Sequence, residues 1–356
     1  MTAVDRLEAL VSIETPTGHA SGISEAFGLV DSWLAPIIGP ARLEAVDGVE
    51  HARWGARRPR VLLLGHIDTV WPLGTIDRLP FTVAGDRCSG PGVFDMKGGV
   101  VAAAEALALA ARTDDVGVLL TADEEVGSLT SRALLERTAS ESQAVLVMEP
   151  SLGGAVKVAR CGGSIYTITA TGRAAHAGLE PWNGVNALVE LARHITELPG
   201  LGDAQLGTTV SPTVAKGGTA TNVIPDLAFM RVDVRGWSTG ELERVDRALR
   251  ERRPFHPEAR LEVTGGINRP PMEERSALEL LTLARRVSAE QDGTDVRTVS
   301  VGGASDGNFT AALGIPTLDG LGVDGDGAHA EHEWASLASV AQRARLVAGM
   351  IDGWMP

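Results

Sequence analysis

Three short apolar runs constrain the fold of this chain more than any other feature of its sequence. They occupy residues 61–64, 116–120 and 144–148. Continuous apolar runs of this length, without polar alternation, are typical of strands that are buried on both faces of an α/β sheet. Helical patterns rich in Ala and Leu lie between them, at 100–112 and 131–138. Strands that alternate with helices predict a mostly parallel sheet covered by helices.

Polar side chains follow each of the three predicted strands. His66 comes after the first strand, Glu124 and Glu125 after the second, and Glu149 after the third. Because ligands of open α/β sheets gather at the carboxyl ends of the strands, we expect these side chains to converge there. An ionised carboxylate at a buried strand end also needs a partner.

The chemistry of these residues points to a metal. Asp68 lies two residues after His66, on the same side of an extended segment, where its carboxylate can orient the imidazole. Asp95 follows a Gly-Pro-Gly turn and precedes a helix, so its carboxylate can be held rigidly and can bridge two ions. Of the adjacent Glu124 and Glu125, one can bind metal while the other moves a proton. Taken alone, the acidic pair would be read as a solvated turn.

The sequence pattern changes in the middle of the chain. At 356 residues the chain is long enough for two domains. Alternating strands at 165–169 and 227–234, with two helices, predict a small α+β unit. We therefore predict a lid domain over 162–267, inserted into a catalytic domain formed by 1–161 and 268–356.

Composition excludes several classes of partner and location. The formal charge of −14, without a basic stripe, argues against nucleic acid and anionic membranes as partners. No apolar run approaches the roughly 18 residues that span a bilayer. Cys88 and Cys161 are too few for a disulfide framework and lack paired zinc-ligand spacing. With no evident secretory signal at the N-terminus, we expect a cytoplasmic protein.

Six segments together resemble the M20 family of metallopeptidases, and in particular its glutamate carboxypeptidase branch, over nearly the whole chain. They are 65–70, 90–99, 121–128, 148–150, 175–178 and 220–225. The resemblance implies a zinc-exopeptidase-like α/β catalytic domain with a mostly parallel central sheet. It also implies a smaller α+β lid domain through which two copies form a homodimer.

The resemblance further implies a centre of two zinc ions, with cobalt or manganese as possible replacements. Asp95 would bridge the two ions. His66 and Glu149 would complete one site, and Glu125 and His329 the other. His332 is a rival for the last position, because it stands where the family's closing motif has an asparagine.

Other residues receive roles from the same resemblance. Glu124 would be the general base, and Asp68 the partner that orients His66. His176 of the lid would reach across a dimer to support the oxyanion in the neighbouring subunit, and Asn222 would line the same pocket. The Asp95–Met96 bond is a candidate for a non-proline cis peptide.

Substrates of the family carry a free carboxylate next to the scissile amide, so an acidic protein must concentrate positive charge locally. The best candidates are Arg235, Arg269 and the backbone amides of the turn that contains Gly303 and Ser305. For each arginine a surface ion pair is the alternative interpretation. The turn lacks the ending of a P-loop, so it does not predict a nucleotide site.

We therefore expect a metal-dependent exopeptidase that releases a C-terminal amino acid from small peptidyl or N-acyl substrates. A deacylase of the same family, which removes acetyl or succinyl groups from an amino acid, is the nearest alternative. A binding protein that kept the fold without catalysis is a remote one, because the ligand set and Glu124 are complete.

Overall fold

The computed structural model of the protein describes residues 1–355. The helices are α1 Ala3–Ser12, α2 Ala20–Ile38, α3 Thr75–Arg78, α4 Gly98–Leu109, α5 Arg132–Ser140, α6 Ala187–Glu197, α7 Thr239–Arg250, α8 Leu278–Gln291, α9 Gly307–Ala312 and α10 Leu337–Gly353. The predicted helices at 100–112 and 131–138 are confirmed as α4 and α5, each displaced by one to three residues.

The strands are more numerous than the sequence pattern indicates, and most of the predicted ones are longer in the structure. They are β1 Arg42–Val46, β2 Val49–Gly55, β3 Val61–His66, β4 Thr82–Ala84, β5 Arg87–Ser89, β6 Val116–Thr121, β7 Ala144–Val147, β8 Val156–Arg160, β9 Gly162–Thr171, β10 Ala175–His176, β11 Thr209–Gly217, β12 Val223–Ile224, β13 Leu227–Gly236, β14 Arg260–Arg269, β15 Thr298–Val301, β16 Thr317–Leu318, β17 Gly325–Asp326 and β18 Trp334–Ser336.

The larger of two compact units comprises residues 1–159, 273–301 and 305–356. Its main sheet has six strands in the order β1-β2-β6-β3-β7-β16. The last four strands of this order run parallel to one another, and β1 and β2 add an antiparallel hairpin at one edge. The predicted α/β class with a mostly parallel sheet is confirmed.

The three predicted apolar strands form the middle of this sheet. Every residue of β3, β6 and β7 is buried. Leu64 and Val147 pack with Leu134 of α5 and Phe309 of α9, so helices cover this face of the sheet. Burial on both faces explains why these strands read as continuous apolar runs.

The smaller unit comprises residues 160–272 with 302–304. Its antiparallel sheet has the order β11-β13-β9-β14. Helices α6 and α7 pack against it, and one buried core joins Tyr166 and Met230 of the sheet to Leu191 and Leu249 of the helices. The borders lie two and five residues from those predicted for the lid, and the lid assignment stays a prediction.

Some antiparallel structure was not anticipated. The hairpin β1-β2 turns through Asp47 and Gly48, both with positive φ. A second sheet of the larger unit, β17-β18-β5-β4, is built from strands of two or three residues. Strands this short show no measurable alternation of polar and apolar residues. They form because neighbouring strands pair with them. Within residues 1–355, no helix has both the length and the apolar character needed to cross a bilayer.

Candidate metal centre

Two strand ends and one loop bring the predicted ligands together. β3 ends at His66, and β7 ends two residues before Glu149. The loop with Asp95 leads directly into α4, whose second residue is Gly99. A Cβ atom at Gly99 would lie 1.9 Å from the carbonyl oxygen of Met148. Only glycine therefore lets the start of α4 approach the strand end that carries Glu149.

The carboxylate of Asp95 lies between two histidines. Its Oδ1 atom is 3.4 Å from Nε2 of His66, and its Oδ2 atom is 3.4 Å from Nε2 of His329. The Asp95–Met96 peptide bond is cis, as expected. One oxygen faces each imidazole, which is the arrangement that a bridging carboxylate requires.

Each histidine has a second carboxylate beside it. Glu149 Oε1 lies 3.5 Å from Nε2 of His66, and Glu125 Oε2 lies 3.1 Å from Nε2 of His329. Asp95 thus joins a His66–Glu149 pair to a His329–Glu125 pair. The family resemblance groups the same residues in these two pairs, and their role as metal ligands stays a prediction.

The charged groups of this cluster shift one another's pKa values. Burial acts to lower the pKa of His66, but the neighbouring carboxylates outweigh it and hold that pKa well above its ordinary value. Asp95 and Glu125 raise the pKa of His329 to about 10. Burial also acts to raise the pKa of Asp95, and the two histidines reverse this effect and lower it. Each of these pKa shifts favours a positive charge between the carboxylates.

Two buried oxygens test whether the cluster fits a metal. Oδ1 of Asp95 and Oε1 of Glu125 are inaccessible to solvent and accept no hydrogen bond within residues 1–355. Ligand atoms of His66, Asp95 and Glu125 all lie within 4.8 Å of one another. Buried carboxylate oxygens without a donor are costly unless they are paired or coordinate a cation, and imidazole with carboxylate suits zinc. The residues present therefore fit a metal.

Asp68 does more than the sequence suggested. His66 Nδ1 lies 2.9 Å from the backbone carbonyl oxygen of Asp68 and 3.5 Å from its carboxylate, so the backbone is the closer acceptor. The carboxylate accepts hydrogen bonds from the backbone N–H groups of Glu124 and Glu125, each at 3.2 Å, and from the hydroxyl of Thr17. Asp68 therefore orients the two glutamates as well as the histidine.

The adjacent Glu124 and Glu125 lie on a helical turn and not on an extended segment. Residues Glu124–Val126 form a short 3₁₀ turn that ends at Gly127 in a left-handed conformation. The hydrogen bonds to Asp68 explain the turn. Its two carboxylate oxygens accept from the N–H groups of two consecutive residues, which an extended segment would point in opposite directions. Both glutamates are half-buried.

His51 is a residue that sequence reasoning missed. It is fully buried, and its Nδ1 atom accepts a hydrogen bond from the backbone N–H of Ala122. Its Nε2 atom therefore carries the proton and donates to the hydroxyl of Thr130, which donates in turn to Asp123. This chain ties β2 to the loop that carries Glu124. No motif near His51 in the sequence indicates this role, because its hydrogen-bond partners lie about 70 residues away along the chain.

Glu333 was also missed as a functional residue. Its buried carboxylate accepts hydrogen bonds from the backbone N–H groups of Gly92, Phe94 and Asp95, at 2.9 to 3.0 Å, and from the indole of Trp71. One carboxylate thus holds the loop that presents Asp95. The only sequence feature that could have indicated its role is its position four residues after His329, in the segment 329–334 that corresponds to the family's closing motif.

The two rival histidines occupy different environments. His329 adopts a left-handed conformation with φ of 64°, and half of its side chain is exposed. A non-glycine residue in this region is uncommon and tends to mark functional sites. The backbone carbonyl of His332 accepts a hydrogen bond from Arg87. Only for His329 does the structure show contacts with Asp95 and Glu125, within residues 1–355.

In the smaller unit, the two predicted arginines share one neighbour. Arg235 of β13 and Arg269 of β14 are both register partners of Gly163 on the strand between them. Paired residues of neighbouring strands point to the same face of a sheet. Arg235 makes a bidentate ion pair with Asp233, with both N···O distances 2.9 Å. The ion pair that we considered as the alternative is therefore present for Arg235.

The turn at 302–305 only partly fits its predicted role. Gly303 belongs to the smaller unit, where its carbonyl accepts a hydrogen bond from Arg160. Ser305 is fully buried, and both of its donors are used internally: the amide donates to Asn308 and the hydroxyl to Asp319. Our expectation that the Ser305 amide contacts substrate is therefore corrected, because this N–H group donates its hydrogen bond to Asn308 in the first turn of α9.

His176 and Asn222 lie together in the smaller unit. β10, which contains His176, pairs with β12, and the carbonyl of Asn222 accepts a hydrogen bond from the N–H of Ala177. His176 is exposed, and its Nδ1 atom accepts hydrogen bonds from the N–H groups of Gly178 and Leu179. The Nε2 atom therefore carries the proton of the neutral ring and points a donor away from this turn.

Comparison with known proteins decides the family. The model of peptidase family M20/M25/M40 matches residues 62–353, which include all the predicted metal ligands. The chain belongs to peptidase family M20. It is therefore a hydrolase of the metallopeptidase type, and the peptidases of this family depend on metal.

Individual relatives differ in what they act on. The chain is 31% identical to carboxypeptidase G2 of Pseudomonas sp. strain RS-16, over 98% of this chain and 88% of that protein. It is 30% identical to succinyl-diaminopimelate desuccinylase of Paracoccus denitrificans, over 90% and 91%. The structure of aminopeptidase PepT from Bacillus cereus has a TM-score of 0.75 at 22% identity, over 98% and 97%. The M20 fold is thus shared by enzymes that act on peptides and on N-acyl amino acids.

Proposed function

We propose that the protein is a two-zinc exopeptidase that cleaves an amide bond next to a free carboxylate. It would release a C-terminal amino acid from small N-acyl or peptidyl substrates, as its similarity to carboxypeptidase G2 supports. The observation that carries the proposal is the position of Asp95, with one carboxylate oxygen 3.4 Å from each of two histidines.

Five side chains would hold the metal. His66 and Glu149 would bind one ion, Glu125 and His329 the other, and Asp95 both. When bound, the ions lower the pKa of a water molecule and polarise the scissile carbonyl. Cobalt or manganese can replace zinc in such a donor set.

Glu124 is the proposed general base. It lies next to Glu125 on the 3₁₀ turn that Asp68 caps, so the ligand and the base are placed by the same hydrogen bonds. Its carboxylate would accept a proton from the attacking water and deliver it to the leaving nitrogen.

The row Arg235–Gly163–Arg269 is the proposed carboxylate clamp. Gly163 pairs with both arginines in the sheet, and a Cβ at Gly163 would lie 3.2 Å from the guanidinium of Arg235. Guanidinium forks bind carboxylates in a bidentate manner. Asp233 holds Arg235 in place and leaves 42% of its side chain exposed. Gly303 and Asn222 remain further proposed substrate contacts.

We also propose that the smaller unit forms a homodimer. Leu179 and Trp182 follow His176 on the same segment and are 72% and 78% exposed. Large exposed apolar side chains that lie close together are typical of interaction surfaces. In the dimer, His176 would support the oxyanion in the partner subunit. A cytoplasmic location stays a proposal, supported by Cys88 and Cys161, which are free thiols.

A deacylase is the second candidate, because the chain is also similar to a succinyl-diaminopimelate desuccinylase. The two activities share the metal centre and differ in which side of the amide is recognised. A catalytically silent homologue is the remote candidate.

One substrate panel separates these candidates. The enzyme, loaded with Zn²⁺ or with Co²⁺, is offered N-acyl glutamates, dipeptides, and acetylated or succinylated amino acids, and the released amino acid is measured. We expect the highest kcat/KM for N-acyl and dipeptide substrates that end in a free carboxylate. A preference for small acetyl or succinyl groups would establish the deacylase instead. Metal binding without hydrolysis of any member would overturn both.

A further inference from the structure

A cavity lined with arginines lies at the antiparallel edge of the six-stranded sheet. Arg42 of β1, Arg53 of β2, Arg57 and Arg58 of the following loop, and Arg137 of α5 contribute five guanidinium groups. Two glutamates, Glu44 and Glu141, are the acidic residues in its lining. We call this feature the basic cavity; its volume is about 380 Å³. None of its lining residues belongs to the metal centre.

The charge of the basic cavity is opposite to that of the whole protein. Five arginines and two glutamates give a formal local charge of +3, in a chain whose net charge is −14. A structural ion-pair network would be expected to match the two signs. Here the excess is concentrated in one concave site, which attracts small anions that the rest of the surface repels.

Two of the arginines are brought close together by the register of the sheet. Arg42 and Arg53 are directly paired across β1 and β2. Like charges in this position destabilise a hairpin. Burial lowers the pKa of Arg42, and repulsion from Arg53 and Arg57 lowers it further. The fold therefore keeps an unfavourable contact that a bound anion would relieve.

The carboxylates of the cavity are already shared. Glu44 contacts Arg53 through Oε1, at 3.4 Å, and contacts Arg137 through Oε2. Glu141 lies 4.0 Å from Arg53. Neither carboxylate is paired with Arg42, whose guanidinium donates instead to the carbonyl of Gly55 at 2.9 Å.

The remaining guanidinium groups are available to a ligand. Arg57 and Arg58 are exposed, and the structure shows no ion pair for either within residues 1–355. Arg53, by contrast, is only 7% exposed. The lining of the basic cavity therefore combines one buried arginine with two exposed ones.

We propose that the basic cavity binds a phosphate group. Guanidinium forks match tetrahedral oxyanions through paired charge-assisted hydrogen bonds, and several arginines together suit a multiply charged anion better than a monocarboxylate. The volume accommodates inorganic phosphate and also a small phosphate ester. The larger unit would thus carry an anion site outside the candidate metal centre.

Calorimetric titration of the metal-loaded enzyme tests this proposal. Inorganic phosphate and adenosine 5′-monophosphate are the two ligands, with ionic strength held constant by NaCl. The test variant is R57Q/R58Q, which removes the two exposed, unpaired groups. The matched control is R285Q/R286Q, an adjacent pair of exposed arginines on α8. Phosphate bound at the metal centre would contribute equally in all three proteins.

We expect phosphate affinity to fall about tenfold or more in R57Q/R58Q, equivalent to about 1.4 kcal/mol or more, and to stay unchanged in R285Q/R286Q. Tighter binding of the nucleotide, lost in the same variant, would identify a phosphate ester as the ligand; equal binding would identify the free anion. The same affinity in all three proteins would overturn the proposal.

Thermal unfolding supplies an independent readout. In NaCl alone, R57Q/R58Q should be at least as stable as the wild type, because it loses repulsive charges and no ion pair. In phosphate, the wild type should gain more stability than the variant. A variant that is less stable in NaCl and gains equally in phosphate would show that these arginines are purely structural.

Discussion

Both compact units bury glutamate and histidine together, but they satisfy these side chains differently. In the smaller unit, Glu190 and His194 of α6 are 2% and 1% exposed and lie 3.1 Å apart. Glu190 also accepts hydrogen bonds from the N–H groups of Phe255 and His256, and His194 Nδ1 accepts one from Arg252. The polar atoms of this cluster find their partners within the protein.

The cluster at Asp95 is built from the same residue types with the opposite result. Buried oxygens of Asp95 and Glu125 accept no hydrogen bond within residues 1–355. Because a buried carboxylate oxygen without a hydrogen-bond donor is costly, these two oxygens favour a cation at this position. Residue type and burial therefore do not separate a functional cluster from a structural one. These two clusters differ in whether their buried carboxylate oxygens have hydrogen-bond donors.

Replacing Glu124 should give the largest effect and should change catalysis alone. We expect E124Q to lose about 10²- to 10⁴-fold in kcat, because it loses the proton acceptor but not a ligand. Metal content, measured by mass spectrometry, and melting temperature should match the wild type. E136Q, which alters a partly exposed glutamate on α5, serves as the control. Near-normal turnover by E124Q would remove it from the mechanism.

The two histidines of the closing motif should differ in metal affinity. H329A is expected to lose affinity for one of the two ions by more than the roughly 10- to 100-fold that outer partners cost. H332A should retain both ions, because the structure shows only the His332 backbone in contact with Arg87. Equilibrium dialysis at a series of zinc concentrations measures this difference. Loss of an ion in H332A but not in H329A would exchange their roles.

Replacing Glu190 in the smaller unit should change the stability of the protein and not its catalysis. E190A leaves the N–H groups of Phe255 and His256, and the imidazole of His194, without their acceptor. A buried donor that is left without its acceptor costs about 1 to 3 kcal/mol. Urea unfolding should show this loss while metal content stays normal. E197A, which removes an exposed partner of Arg252, is the control and should cost less than about 1 kcal/mol.

The smallest predicted effect is a pH dependence of the same cluster. Burial lowers the pKa of His194 below its ordinary value of 6.5, Glu190 opposes this effect, and Arg252 adds to it. The unfolded chain therefore binds the proton more readily, and the stability contributed by His194 is complete above pH 6.5 and declines as pH falls below it. The free energy of unfolding, followed from pH 8 to pH 5, should decline more steeply in the wild type than in H194Q. Parallel curves would show that His194 contributes nothing to the decline.

Local pattern predicted the parts of the site that lie at strand ends. His66 and Glu149 follow apolar runs that could only be buried strands, so their convergence at one edge was predictable. Glu333 and His51 were not predictable in this way. Glu333 holds a loop about 240 residues away in sequence, and His51 supports one about 70 residues away. Neither contact produces a periodic pattern in the amino-acid sequence.

The correction at Ser305 has the same origin. A glycine-rich turn offers backbone donors, and the sequence does not show which of them the fold uses. In the structure, Asn308 and Asp319 take both donors of Ser305. The 3₁₀ turn at Glu124 likewise depends on Asp68, which approaches from a different strand end.

The sequence by itself determined the α/β class, the family and the chemical types of the proposed ligands, because these follow from local periodicity and from the order of motifs. Only the tertiary structure decided how they are arranged. It placed one oxygen of Asp95 towards each histidine, aligned Arg235 and Arg269 on either side of Gly163, and set Arg42 against Arg53. Strand register and long-range packing decide such contacts, and single-chain periodicity carries no information about which residues they bring together.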